Sequence, residues 1–299
     1  MRMLGHENRP KDRERKIENN RWLETFARSF TSQFGEDGII EKALEIVGNS
    51  DKWCVEFGCW DGKHLSNTLN LIENKGYSAV LIEGDKKKFR DLLKTCQGND
   101  KVIPLNLFVG FEKRNGLDAI LQEVEIPVDF DVLSIDIDGN DYHVWKAVEC
   151  YKPKIVVIEY NPTIPNKVEF VQKPDMRVLQ GSSLLSIHML AKSKKYELIA
   201  VTTTNAIFVD SRYFDLFGIR DNSVEAMRPD EKMVTHIFCG YDGTVFIKGF
   251  CRLPWHSVRF SESRIQQLPS FLWSYPETYG KLKQVLLRVY KKLRKKNIL

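Results

Sequence analysis

Two strand-like runs, Tyr196–Val201 and Ala206–Asp210, are separated only by the four residues Thr202–Asn205. A connection that short cannot hold a crossover helix, so the pair must form an antiparallel hairpin. What precedes it follows another rule. Trp53–Phe57, Ala79–Glu83, Val102–Leu107, Val132–Asp136 and Ile155–Glu159 are short apolar runs. Amphipathic stretches at His64–Asn74, 86–96, Leu117–Val124, Tyr142–Val148 and Ser183–Lys195 alternate with them. This alternation predicts a parallel sheet covered by helices on both faces. The expected fold class is therefore α/β: a doubly wound, mostly parallel seven-stranded sheet closed by a terminal antiparallel hairpin. A further helix over about Gly38–Val47 would place Ile39, Ile40, Ala43, Leu44 and Val47 on one face.

Around this unit the chain divides into an N-terminal arm and helix (1–30), the α/β domain (31–210), an extension expected to pack on it (211–280) and a basic tail (281–299). A strand is expected within the extension at Thr244–Lys248. The 299 residues, 42% hydrophobic, suffice to bury a continuous core. The longest apolar pieces, such as Ile155–Ile158, are strand-sized, and no apolar leader follows the basic N-terminus, so neither a membrane span nor a signal peptide is expected. The six cysteines (54, 59, 96, 150, 239 and 251) form no C-x-x-C pair, which suits a reducing, cytoplasmic location.

The net charge of +5 is unevenly spread. Residues 281–299 hold eight Lys and Arg and no acid, which leaves 37 basic against 40 acidic residues elsewhere. A body near neutrality makes a general nucleic-acid binder a poor expectation. In the tail, Leu282, Leu286, Val289 and Leu293 recur on one helical face. Such a helix can lie on an anionic membrane surface, which would make the protein peripheral to a membrane, dock on the protein with a solvated basic face, or attach to a nucleic acid, and no feature of the sequence separates the three.

In an open α/β sheet, ligands bind beyond the carboxyl ends of the strands, where strand order reverses. Here those ends are rich in acids and glycine. The first strand runs into Glu56, Gly58, Asp61 and Gly62, the second into Glu83, Gly84 and Asp85. The fourth ends at Asp136, Asp138 and Asp141, and the fifth at Glu159 and Asn161. Gly58 and Gly62 permit a tight turn and close approach to a ligand. Glu83, one βα unit later, is placed to accept hydrogen bonds from ribose hydroxyls, and together these point to a nucleoside-bearing cofactor. A dinucleotide turn would read G-x-G-x-x-G, but Trp60 replaces its second glycine, and Glu56 and Asp61 crowd a place where pyrophosphate would sit. Carboxylates there favour a cation. S-adenosylmethionine carries a sulfonium and an ammonium and no phosphate.

With these residues in view, the chain resembles the class I S-adenosylmethionine-dependent methyltransferases, with their Rossmann-like fold. The likeness rests on Glu56–Gly62, Glu83 and the terminal hairpin. Within that class, Ser134–Asp141 (SIDIDGND) with Ser32–Gly38 (SQFGEDG) upstream is similar to the FkbM-type group, over roughly residues 30–210. Trp60 and Asp138 depart from its commoner pattern. The resemblance implies O-methylation of a hydroxyl on a sugar, glycan or related small molecule. It also implies cofactor contacts from Gln33 and Asp37, beside Glu56, Gly58, Asp61, Gly62, Glu83, Gly84, Asp85 and Asp136.

Asp136, Glu159 and Asn161 could also converge to hold Mg²⁺ or another divalent ion, a layout similar to metal-dependent O-methyltransferases. The plainer alternative is that these side chains cap helices. Without a metal, deprotonating a hydroxyl needs a general base, for which Asp136, Asp138, Glu159 and His188 are the candidates, with His64 and His143 nearby in sequence. Two rival readings stay open. The D-x-D at Asp136–Asp138 would suit a metal-dependent glycosyltransferase, and a methyltransferase-like module without catalysis would serve only to bind.

Overall fold

The computed structural model describes residues 19–48 and 51–296. Most of the N-terminal arm expected at 1–30 therefore lies outside the described residues. The chain forms two compact units, one up to Asp230 and one from Glu231.

The first unit is built on strands β1 (Trp53–Phe57), β2 (Ser78–Ile82), β3 (Val102–Leu105), β4 (Val132–Ile135), β5 (Ile155–Glu159), β6 (Tyr196–Val201) and β7 (Asn205–Asp210). They form one sheet in the order β3-β2-β1-β4-β5-β7-β6. Neighbours are parallel from β3 to β5, while β7 runs antiparallel to both β5 and β6. This is the α/β, Rossmann-like methyltransferase fold, with the expected terminal hairpin.

The helices are α1 (Glu36–Val47), α2 (Leu69–Lys75), α3 (Lys86–Cys96), α4 (Leu117–Leu121), α5 (Asp141–Ala147), α6 (Leu184–Ser193) and α7 (Val224–Met227). Ile39, Ile40, Ala43 and Leu44 of α1 are buried, as their spacing requires. A 3₁₀ turn at Ser211–Phe217 belongs to this unit, its last carbonyl accepting from the Trp22 indole N–H at 2.9 Å.

Within the expected hairpin, the second strand inserts between β5 and β6. All six residues of β7 are buried, which suits a slot flanked by strands on both sides better than an edge. The helix expected at His64–Asn74 begins only at Leu69. The Glu56 carboxylate, buried at the end of β1, accepts hydrogen bonds from Ser66 Oγ (2.6 Å), Asn67 N–H (2.9 Å) and Thr68 Oγ1 (2.7 Å), which hold the preceding residues as a loop.

At the opposite, amino end of the sheet, Lys154 Nζ meets Asp131 Oδ1 at 2.7 Å with both side chains buried. Asp131 Oδ2 also accepts from the Tyr77 hydroxyl (2.9 Å) and the Lys52 N–H (3.1 Å), so this one carboxylate ties β1, β4 and the start of β5 together.

The second unit contains two antiparallel pairs, β8 (Thr235–Cys239) with β9 (Val245–Gly249) and β10 (Arg252–Leu253) with β11 (Val258–Arg259). It ends in α8 (Glu262–Ile265) and α9 (Lys281–Lys295). Its few buried apolar side chains include Val245, Ile247 and Leu272.

Removing one partner of a buried ion pair costs about 3–5 kcal/mol, less where another acid remains, and Asp51 Oδ2 lies 3.6 Å from Lys154 Nζ. Asp131→Ala should therefore lower the melting temperature by roughly 5–10 °C, read by differential scanning calorimetry. A change under about 2 °C would show that Asp51 compensates Lys154 without Asp131.

Candidate functional site

Strand order reverses between β1 and β4, so the crevice beyond their carboxyl ends is where a ligand site is expected. Three alternate residues of the loop after β1 are left-handed: Gly58 (φ 74°), Trp60 (φ 50°) and Gly62 (φ 73°). At Gly58 the reason is internal, since a Cβ there would lie 1.7 Å from the Asp136 carbonyl oxygen. At Gly62 a Cβ would lie 2.7 Å from Leu92 Cδ1 of α3. Both glycines thus let the loop pack closely against the protein itself. Trp60 takes a conformation that glycine adopts without strain. Its exposed ring is covered in part by Lys88 Nζ, 4.5 Å from the centroid, and the His64 ring meets its edge at 5.1 Å.

Glu83 lies just beyond β2, buried, and joins the two loops. Its Oε2 accepts from Trp60 N–H (2.9 Å) and its Oε1 from Asp85 N–H (2.7 Å). A carboxylate offers about four acceptor positions, so two remain for other donors. Gly84 faces the Phe108 ring, where a Cβ would approach within 2.3 Å, and that ring is 73% exposed. Asn106 Nδ2 donates to the Glu83 carbonyl at 2.8 Å and fixes the connection. Phe108 was not singled out from sequence, because an aromatic just past a short strand carries no periodic signal.

Several acids of the predicted cofactor set spend their oxygens on nearby backbone. Asp85 caps α3 through Lys87 and Lys88 N–H, and Asp61 accepts from Lys63 and His64 N–H. Asp37 Oδ2 gathers the N–H groups of Phe30, Thr31 and Ser32 at 2.7–2.9 Å, shaping the loop on which Gln33 is exposed. Its buried Oδ1 has no hydrogen-bond partner. Glu56 holds Ser66–Thr68, and burial pushes its pKa up. Asp85 thus caps a helix, Asp61 closes a turn, and Asp37 and Glu56 brace loops.

The ends of β4 and β5 are different. One carboxylate oxygen from each of Asp136, Asp138 and Glu159 comes within 4.8 Å of the other two. Asp141 lies behind, accepting from Ile137 N–H (2.9 Å) and Gly139 N–H (2.8 Å). Asp138 is itself left-handed (φ 58°). Burial, reinforced by the neighbouring carboxylates, pushes the Asp136 and Glu159 carboxyls well above the usual range. Asp141 is pushed up to about 6, chiefly by burial. Among the described residues no Lys or Arg is ion-paired with any of the four.

The remaining candidates have partners of their own. Asn161 Oδ1 accepts from Thr163 N–H (2.9 Å) and Oγ1 (2.7 Å), and its Nδ2 donates to the Gln180 carbonyl. His188 is buried on α6, its pKa lowered by burial, and the charged groups acting on it are Lys192, Glu197 and Glu225. None of these belongs to the carboxylate group. His143 Nε2 is bonded to the Gln172 carbonyl at 2.8 Å.

No protein-family model matches the chain, and no curated protein matches it. Solved structures similar to it include the N-terminal domain of EvdMO1 with S-adenosylhomocysteine bound, at 12% identity and a TM-score of 0.39, over 67% of this chain and 96% of that one. A SAM-dependent methyltransferase from Aquifex aeolicus is similar at 10% identity and a TM-score of 0.35, over 68% and 97% of the two chains. An O-methyltransferase from Bacillus cereus in complex with S-adenosylhomocysteine is similar at 17% identity and a TM-score of 0.37, over 56% and 77%. The fold of the present chain is defined by its own strand order and by the reversed β7.

Proposed function

We propose that the chain is an S-adenosylmethionine-dependent methyltransferase acting on a hydroxyl of a sugar, glycan or related small molecule. The observation that carries this reading is a set of clustered carboxylates, without a basic partner, at the crevice of a sheet whose β7 is reversed. Four acids so close repel one another, and a bound cation relieves that repulsion. A sulfonium and an ammonium supply positive charge without phosphate. Glu83 retains acceptor positions suited to ribose hydroxyls, and the exposed faces of Trp60 and Phe108 beside it suit a purine.

The cofactor supplies an activated methyl group for in-line displacement. The protein's tasks are to align the hydroxyl and to remove its proton. A carboxylate with a raised pKa is a stronger base than an ordinary one, which fits Asp136 or Glu159, with Asp138 at the exposed side of the group. The SIDIDGND run that supplies Asp136 and Asp138 also carries the FkbM-type assignment, which is part of this proposal.

A second reading concerns the same atoms. Asp136, Asp138 and Glu159 offer three hard oxygen ligands to a divalent ion such as Mg²⁺, which would lower the pKa of a coordinated hydroxyl.

Cofactor at about 100 times its Kd should stabilise the fold by about 2.7 kcal/mol, a rise of roughly 5–10 °C in melting temperature. No shift with S-adenosylmethionine or S-adenosylhomocysteine, alongside a clear shift with a UDP-sugar and Mn²⁺, would replace the proposal with glycosyl transfer.

A carboxyl whose pKa is raised on folding contributes stability at pH values below its ordinary range and loses it as the pH rises through the folded value. For Asp141 that window runs from about 4 to about 6, and for Asp136 and Glu159 it extends higher. The ligand-free protein should therefore melt lower at pH 8 than at pH 5, the stabilisation by cofactor should grow over the same interval, and Asp136→Asn should raise the pH 8 melting temperature by about 2–4 °C while weakening the cofactor. A flat profile would mean that the four acids do not repel as placed.

Chelation with EDTA separates the two readings of the acid trio. Activity lost and restored by Mg²⁺ supports the metal, whereas unchanged turnover leaves the carboxylates acting alone.

A further inference from the structure

The unit from Glu231 carries the chain's positive charge. It holds 13 Lys and Arg against 4 Asp and Glu, or +9, whereas residues 1–230 hold 32 against 36, or −4. Helix α9 supplies seven of those bases and no acid. Its apolar residues do not all face inward. Leu282, Val285, Leu286 and Val289 recur at i, i+3, i+4 and i+7, and they are 73, 48, 38 and 49% exposed.

A different side of the helix holds it to its own unit. Tyr290 Oη donates to the Gln267 carbonyl (2.6 Å), Arg294 to Gln267 Oε1 (2.5 Å) and Lys283 Nζ to Ser274 Oγ (2.9 Å). Leu293, which the sequence placed on the apolar stripe, is half-buried. Ser274 sits in a segment whose neighbours Phe271, Trp273 and Tyr275 are exposed, so aromatic side chains flank the first turns of α9. Arg288, Lys291, Lys292 and Lys295 are exposed along the helix.

We propose that α9, with the aromatic segment 271–275, is an interfacial anchor that lies on a membrane rich in anionic lipid headgroups. The apolar stripe would enter the boundary between headgroups and acyl chains, and the bases would meet the lipid phosphates and carboxylates. Amphipathic basic helices bind in this way, and Trp and Tyr favour the same depth. None of the described helices is long and apolar enough to cross a membrane, so the anchor lies on the surface. A nucleic acid would engage the bases but leave the four aliphatic side chains in water. A second copy would cover the stripe only by bringing two units of +9 together. The proposal is independent of the reaction that the first unit performs.

The test is vesicle co-sedimentation of the full chain, with phosphatidylcholine alone and with about one third phosphatidylserine added. Binding at least about tenfold tighter to the anionic vesicles, weakened by raising salt from about 0.1 to 0.5 M, is expected. Replacing Leu282, Leu286 and Val289 by Ser should weaken that binding about tenfold or more, since each buried methylene contributes. Changing Lys291, Lys292 and Lys295 to Gln should weaken it about 100-fold.

All six positions face solvent or nearly so, and an unchanged melting temperature verifies folding; if the serine variant misfolds, the glutamine variant decides. Equal binding to the two vesicle types, or undiminished binding by either variant, would overturn the proposal. So would tighter binding to duplex DNA or tRNA than to vesicles, or a concentration-dependent dimer abolished by the serine variant.

Discussion

Carboxylates forced together at the ends of β4 and β5 set the terms for everything around them. Acids partly withdrawn from water without cations are costly, and among the described residues no Lys or Arg is ion-paired with these four, of which Asp141 is buried and Asp138 exposed. Asp141 is steadied by two backbone N–H groups, but Asp136, Asp138 and Glu159 leave oxygens directed at one another. A site that holds such repulsion is stabilised by whatever positive group enters it. That coupling gives the proposed cofactor its affinity and gives the carboxylates the raised basicity that proton removal needs.

The rest of the rim fixes this arrangement in place. Gly58 allows the loop after β1 to rest against the Asp136 carbonyl, and Glu83 clamps that loop to the one after β2 through two N–H bonds. Glu56 pins Ser66–Thr68 beneath. Acids near the rim thus divide into two kinds. Some accept hydrogen bonds that build the walls, and a smaller set at β4 and β5 brings its oxygens within 4.8 Å of one another without a basic partner. The basic second unit has a separate logic, because its charge and its exposed aliphatic stripe lie on a helix with no acid to temper it.

Much of this was legible in the residues. Alternating short apolar runs located the first five strands to within two residues, and the brief gap at 202–205 required the hairpin. The acids that close β4 and β5 were identifiable because ligand sites of open α/β sheets lie at those ends. Less legible was the division of labour among them. Asp61 and Asp85 look from sequence like ligand groups, yet each sits two or three residues before an unpaired N–H that it caps.

Sequence by itself determined the class of sheet, the reversed hairpin and the strand ends where acids gather, because periodicity and connection length are local properties that survive any packing. Tertiary structure alone decided that β7 inserts beside β5, that oxygens of Asp136, Asp138 and Glu159 meet within 4.8 Å, and that Phe108 lies over Gly84. Each of those outcomes is a competition for a slot, a hydrogen-bond donor or a packing surface supplied by residues distant in the chain, and such competition has no signature in a single run of amino acids.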